Sequence, residues 1–311
     1  MEYTRSMRIA VLGAGGVGGY YGGILARAGH AVALLARGAH LDALRARGLE
    51  VRTPEERFTV AVQASDDPKT FGECDVAIVA VKTYSLGEIV PVARLLAERG
   101  AAVLPFLNGV EAADRLIAGD IPKASVLGGL TQVSVARVEP GVVERKSPFQ
   151  RVALGELPGG SSERARRIVE AFREAGAEAR ESTEIVADLW RKLAFIASMA
   201  AACGLARAPI GPVRDAPYGK LLLTRAVREV LAVARARGLS LAEDEESKIL
   251  GFIDSLGGGM KPSFLLDLEA GGPNELDDLS GAVARLGREA GVETPVHDTA
   301  TAALSAAVKG R

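Results

Sequence analysis

The residues best placed to do chemistry begin with a lysine in apolar company. In the stretch Thr183 to Ala206, TEIVADLWRKLAFIASMAAACGLA, helical spacing puts Ile185, Leu189, Lys192, Ile196, Met199 and Cys203 on one face. All but Lys192 are apolar. The run Leu193 to Ala206 carries no charge, is too short to cross a bilayer, and reads as a helix inside a protein core. At the mouth of such a face Lys192 either snorkels its ammonium to water or sits desolvated in a cleft.

A second constellation opens the chain. Arg8 to Leu12, RIAVL, is an apolar run ending in Gly13-Ala14-Gly15-Gly16-Val17-Gly18, and a helical segment Gly19 to Ala28 follows, closed by Gly29. A GxGxxG between a strand and a helix suits a dinucleotide. Gly13 allows the tight turn, Gly15 lets the backbone approach a pyrophosphate, and Gly18 permits close helix–strand packing. The free N–H groups of the helix start then meet the pyrophosphate. The next strand, Ala31 to Ala36, ends in Arg37, 24 positions after Gly13. An NAD site places an acidic residue near there for the ribose 2′-hydroxyl. A guanidinium instead pairs with a 2′-phosphate that a carboxylate would repel, which favours NADP(H). Lys82, following the apolar strand Asp75 to Val81, is a second candidate phosphate contact. Asn108, at the end of the strand Ala101 to Leu107, can reach the nicotinamide ribose or a substrate oxygen, although Asn-Gly is also good turn chemistry.

The elements that position these groups change character along the chain. Strands alternate with helices as far as Ala101–Leu107. Strands in a row follow (Val126–Val138, Gly141–Lys146, Arg151–Gly155), then a helix Glu163–Ala175 and a short strand Ala177–Arg180. That pattern predicts an α/β domain over 7–180, a doubly wound sheet with an antiparallel extension. From 181 to 311 the period is helical, predicting an all-helical second domain. Pro209, Pro212 and Pro217 punctuate a turn region in it, and Gly257-Gly258-Gly259 could serve as a hinge. Ser263 stands near the start of a short helix. Glu275 falls in the first turn of a predicted helix Glu275–Ala290 capped by Asn274, where its charge suits the helix dipole. A final helix runs from Thr294-Pro295 to near Val308.

Composition narrows the classes. The 311 residues carry 38 basic and 39 acidic side chains, a net charge of −1, which gives no support to a nucleic-acid or membrane-surface partner. Two cysteines in apolar sequence, Cys74 and Cys203, suit a reducing cytoplasm. Three separated histidines (His30, His40, His297) argue against a zinc site or a histidine-based triad, so no metal is expected. Met1 to Ser6 reads as a polar lead before Met7 rather than a secretory signal. Apolar helix faces in the second domain are compatible with a homodimer.

Taken in order, MRIAVLGAGGVGGYYG, VKTYS, LNG, LWRKLAF and PSFLLDLEAGGPNELDDLSG resemble the ketopantoate reductase (2-dehydropantoate 2-reductase) family over essentially the whole chain from Met7. The fingerprint alone is shared by many dehydrogenases; the WRKL and NELDxxxG segments are more specific. The resemblance implies NADPH-dependent reduction of 2-dehydropantoate to pantoate in pantothenate synthesis. It also implies a Rossmann domain, a helical domain, and an active site in the cleft between them. Carried across, Lys192 matches the family's general acid and Glu275 the acidic residue that binds the substrate hydroxyl and helps place that lysine. Ser263 matches the substrate-binding serine and Asn108 the asparagine between nicotinamide and substrate. Arg37 and Lys82 match the basic pair at the 2′-phosphate. The chain departs from the family at Ile196 and Ala200, where members carry asparagines. Alternatives are a paralogue reducing another small 2-oxo acid, a related dehydrogenase acting on 3-hydroxy acids, and a catalytically silent NADP(H)-binding regulator.

Overall fold

The structure, a computed structural model, describes residues 6–306. Residues 1–5 of the polar lead and Val308 of the final helix lie outside the described residues. The chain divides into two compact units: one runs to Leu107 and then from Ala112 to Ile185, the other comprises Asn108–Glu111 and everything from Val186.

The first unit contains β1 (Arg8–Leu12), α1 (Gly16–Arg27), β2 (Ala31–Leu35), α2 (Gly38–Arg47), β3 (Leu49–Arg52), β4 (Arg57–Val60), β5 (Gln63–Ser65), β6 (Val76–Val79), α3 (Leu86–Glu98), β7 (Ala102–Pro105) and α4 (Ala112–Ala118). It continues with β8 (Leu127–Gln132), β9 (Val135–Glu139), β10 (Val142–Arg145), β11 (Arg151–Glu156), α5 (Glu163–Glu174) and β12 (Glu178–Glu181). Five strands form a parallel sheet in the order β5-β2-β1-β6-β7. The unbroken apolar run of β1 follows from burial on both faces. Ile9 and Val11 enter the core beneath α1, whereas Ala10 and Leu12 enter the core against α3. This is the Rossmann-like doubly wound arrangement.

The expected antiparallel extension is two further sheets. The segment Val126–Val138 is not one strand: β8 joins β11 and β12, while β9 joins β10, β3 and β4. A parallel bridge from Val103 to Val126 links the edge of the parallel sheet to the start of β8. Helix α1 lies between the parallel sheet and the mixed one. A Cβ on Gly22 would come within 2.9 Å of Leu34, and one on Gly19 or Gly23 within 2.7 or 2.6 Å of Val143 or Val51. Its glycines admit β-sheet side chains on two sides.

The second unit is helical: α6 (Ile185–Ala206), α7 (Ile210–Asp215), α8 (Gly219–Ala236), α9 (Glu245–Ser255), α10 (Ser263–Ala270), α11 (Ser280–Glu289) and α12 (Pro295–Ser305). Leu193, Ala194, Ala197, Ala201, Ala202 and Cys203 of α6 are fully buried, so this helix is the hub of the core. At 22 residues α6 is long and apolar enough to cross a membrane on composition alone, and 67% of its most apolar window is buried within the protein.

Three expectations are corrected here. The proline-punctuated turn region contains the helix α7, because Pro209 and Pro212 fall at its start, where no amide donor is required. The run Gly257–Gly259 is pinned rather than hinge-like: Gly211 donates its N–H to Gly258 O at 2.9 Å, and a Cβ on Gly211 would meet Gly258 Cα at 2.7 Å. The predicted helix Glu275–Ala290 is broken. A 3-10 turn, Leu276–Asp278, is followed by Leu279 at φ −104, ψ −101, and only then by α11. Glu275 therefore precedes a tight turn instead of occupying the first turn of a long helix.

Candidate active site

The glycine-rich turn follows β1 at the point where strand order reverses, with β2 on one side and β6 on the other. Leu12 and Val79, the last residues of β1 and β6, are in register. Open α/β sheets bind ligands outside the carboxyl ends of strands at such a point. Each glycine of the turn has a separate task. Gly13 adopts φ +107, and a Cβ there would lie 2.6 Å from Val81 Cγ1 and 2.9 Å from the Ala80 carbonyl. A Cβ on Gly18 would lie 2.1 Å from the Gly13 carbonyl and 2.9 Å from Val11. One on Gly16 would lie 2.8 Å from Val135 O. At Gly15 a Cβ would meet no atom of the described residues within 4 Å. The position where packing asks nothing of the residue is the one a pyrophosphate must approach, so the turn fits a dinucleotide. Ala14, itself buried, donates its N–H to Leu35 O at 3.3 Å, and Val17 packs against the core under α1.

Arg37 sits between β2 and α2, exposed, with both terminal nitrogens 3.3 Å from Glu88 Oε2 in the first turn of α3. This carboxylate, 51 positions away, was invisible to a reading of the strand end. Because both partners are exposed, the pair contributes little. Lys82 is half-buried three residues beyond β6, before a 3-10 turn.

The helical unit brings three predicted residues together. Lys192 lies midway along the first half of α6 with a small opening to solvent. Burial pushes its pKa down to about 8, and the negative charge of Glu275 opposes that fall. Glu275 is 4% exposed and accepts a 2.9 Å hydrogen bond from Asn108 Nδ2. The Asn108-Gly109 turn is fitted to this task. Gly109 has φ +88, and a Cβ there would lie 3.0 Å from Asp278 O, so only glycine lets the turn seat on the residues after Glu275. Arg285 of α11 holds the same segment through Glu111, at 2.5 Å. Asn274 accepts the Leu276 N–H at 3.1 Å, while its own amide nitrogen is buried with no hydrogen-bond partner among the described residues. That orphan donor beside Glu275 was not legible in the sequence, where Asn274 reads only as a cap. Beside Lys192, Arg191 bridges Asp188 at 2.9 Å and Glu245 at 2.7 Å, tying α6 to α9.

Ser263 does not join the cluster by any hydrogen bond among the described residues; it is exposed at the first position of α10. Ile196, one turn beyond Lys192, is half-buried, and Ala200 is 2% exposed, so the face continues as apolar surface. Among the described residues no group of three His, Cys, Asp or Glu is placed to hold a metal ion.

A lowered-pKa lysine, a buried carboxylate and an amide, in a chain with a dinucleotide turn, can deliver a proton to an oxygen that gains charge on hydride addition. Comparisons with known proteins place the chain among oxidoreductases. Residues 9–159 match the family described as "Ketopantoate reductase PanE/ApbA", and residues 184–308 match its C-terminal counterpart. The chain is 32% identical to the "Uncharacterized oxidoreductase YkpB" of Bacillus subtilis, over 96% of this chain and 98% of that one. It is 31% identical to a 2-dehydropantoate 2-reductase of Halobacterium salinarum, over 93% and 95%. A solved 2-dehydropantoate 2-reductase from Geobacter metallireducens superposes with a TM-score of 0.89 at 28% identity, over 97% of this chain and 100% of that one.

Proposed function

As the chain belongs to the ketopantoate reductase family, an oxidoreductase family, we propose that it reduces 2-dehydropantoate to pantoate with NADPH, a step toward pantothenate and coenzyme A. The observation that carries this reading is Lys192, desolvated in an apolar helix with a pKa near 8 beside a buried glutamate. The segment Gly13 to Gly18 and the start of α1 would hold the cofactor's pyrophosphate, and Arg37 and Lys82 its 2′-phosphate. When bound, NADPH supplies a hydride to the keto carbon. The Lys192 ammonium polarises the keto oxygen and passes it a proton as the C–O bond gains negative charge. The neutral amine regains a proton from water through its opening to solvent. Glu275 limits how far the lysine's pKa falls and directs the ammonium. Asn108 spends one amide hydrogen on Glu275, which leaves its oxygen and second N–H for the substrate.

The test is NADPH oxidation with 2-dehydropantoate, in wild type and Lys192→Ala. Turnover lost on substitution, with NADPH binding retained, is the expected result; unchanged turnover removes Lys192 from the mechanism. A second reading is favoured by Ile196 and Ala200, which offer no donors to a hydroxylated substrate: a 2-oxo acid with a more apolar body. A higher kcat/KM for such an acid than for 2-dehydropantoate would establish it. A reducing, cytoplasmic setting is supported by two free, buried cysteines.

A further inference from the structure

The hairpin of β9 and β10 is fastened along α2, from His40 near its start to Arg47 at its end. Its Glu139-Pro140-Gly141 turn gives the Gly141 N–H to His40 Nδ1 at 2.9 Å and accepts Arg47 Nη2 on Pro140 O at 2.6 Å. A Cβ on Gly141 would touch Ala43 at 3.0 Å. The other end of β9 lies against the dinucleotide turn, through Val135 and Gly16. These anchors hold the backbone of Arg137, midway between them, while its exposed side chain makes no ion pair or hydrogen bond among the described residues.

Arg137, Arg37, His40 and Glu139 line one cavity of about 340 Å³, bounded also by Ala39 and Pro140. The lone acid there, Glu139, is engaged by Arg52 Nη1 at 3.3 Å. Two guanidiniums thus share a cavity beside the end of β2; among the described residues one has no ion-pair partner and the other is paired with one exposed carboxylate, Glu88. Like charges in a fixed cavity repel unless an anion joins them. Burial first, and then the charge of Arg137, lower the pKa of His40 against a hydrogen bond to the Ala14 backbone, so Arg137 acts on the cavity wall that His40 forms.

We propose that Arg137 is a second arginine for the 2′-phosphate of NADP(H), lining the same cavity as Arg37, and so a determinant of the preference for NADPH over NADH. The assignment rests on the NADPH reading above. A phosphate dianion accepts from both guanidinium forks, and a cofactor with a plain 2′-hydroxyl gains nothing from the second one.

The experiment is calorimetric titration of NADPH, NADH and adenosine 2′,5′-bisphosphate into wild type, Arg37→Gln, Arg137→Gln and Arg137→Lys. Arg137→Gln should weaken NADPH and the bisphosphate about 10-fold, the scale of a charge-assisted contact, and leave NADH unchanged. Arg137→Lys should recover part of the loss. Because NADH binding is measured in the same variants, it controls for folding. If Arg137→Gln leaves the NADPH:NADH ratio unaltered while Arg37→Gln lowers it, the role of Arg137 is overturned and the cofactor reading stands. If wild type binds both cofactors equally, both fall.

Discussion

Burial that lowers the Lys192 pKa from 10.5 to about 8 has consequences of opposite sign for catalysis and stability. A proton donor must be charged, so kcat/KM for reduction should fall as pH rises through about 8, and the reverse oxidation should rise there. Removing the donor, Lys192→Ala, should lower turnover by roughly 10²–10⁴; initial rates across pH check both. In stability, the folded pKa lies below the unfolded one, so between these values the unfolded chain binds more protons. The burial penalty is therefore fully present below about 8 and is relieved as pH climbs toward 10.5. It corresponds to about 3 kcal/mol. Lys192→Met should then be inactive yet more stable at neutral pH by up to that amount; urea denaturation that shows no gain would mean the lysine is not desolvated. Helical spacing drew attention to Lys192, because a lone charge on an apolar face is visible in one dimension, but it left snorkelling and desolvation both open, and the resemblance carried by the WRKL segment supplied its expected role. Its setting was not: Asn108 and Glu275 are 167 positions apart, and no local pattern announces that they share a hydrogen bond.

At the level of elements, α1 is where sequence and structure explain one another. A helix with so many glycines has poor intrinsic propensity, and its stability comes from close packing of a sheet on either side. That makes two neighbouring glycines separable by experiment. Gly18→Ala places a Cβ 2.1 Å from the Gly13 carbonyl, so α1 must shift off β1; a loss of at least about 1–3 kcal/mol is expected in denaturant titrations. Gly15 has φ −73 and open space around it, so Gly15→Ala should change stability by no more than about 0.5 kcal/mol. It should nonetheless weaken dinucleotide binding at least about 10-fold, measured by cofactor fluorescence, since the new methyl occupies the approach of the pyrophosphate. Equal effects of the two substitutions would refute this division of labour. β1, β2, β6 and β7 were legible because two-sided burial makes their apolar runs continuous, whereas the polar, half-exposed edge strand β5 was not. The break between Glu275 and α11 was not legible. Leu276 to Gly287 keeps a helical spacing of apolar residues, and the Asn108-Gly109 turn seated against Asp278 at the break is distant in sequence.

For the molecule as a whole, acid stability should be governed by a histidine that sequence spacing could only remove from metal chemistry. His297 is fully buried in the helical unit. One ring nitrogen is 3.0 Å from Ala226 O on α8 and the other 3.2 Å from Ser280 Oγ on α11. The carbonyl must accept, so Nε2 carries the hydrogen and neutral Nδ1 accepts from the serine. The α12 backbone at this point is held by Glu229 of α8, whose carboxylate accepts the N–H groups of Val296 and His297 at 2.9 and 3.0 Å. One ring and one carboxylate thus join three helices. Burial depresses the His297 pKa to about 4. Above 6.5 the ring is neutral in both states and costs nothing. As pH falls from 6.5 toward 4 the unfolded chain takes up a proton that the folded one refuses, and stability declines. The full decline corresponds to about 3 kcal/mol. Glu229 works against it in part. Its pKa is raised, chiefly by burial, so acid relieves a penalty there while removing an acceptor from the α12 amides. The discriminating measurement is the slope of unfolding free energy against pH between 6.5 and 4 in wild type and in His297→Gln. The variant pays a constant cost for altered packing but has no proton to refuse. Its slope should be shallower by about one proton; parallel slopes would place the acid sensitivity elsewhere.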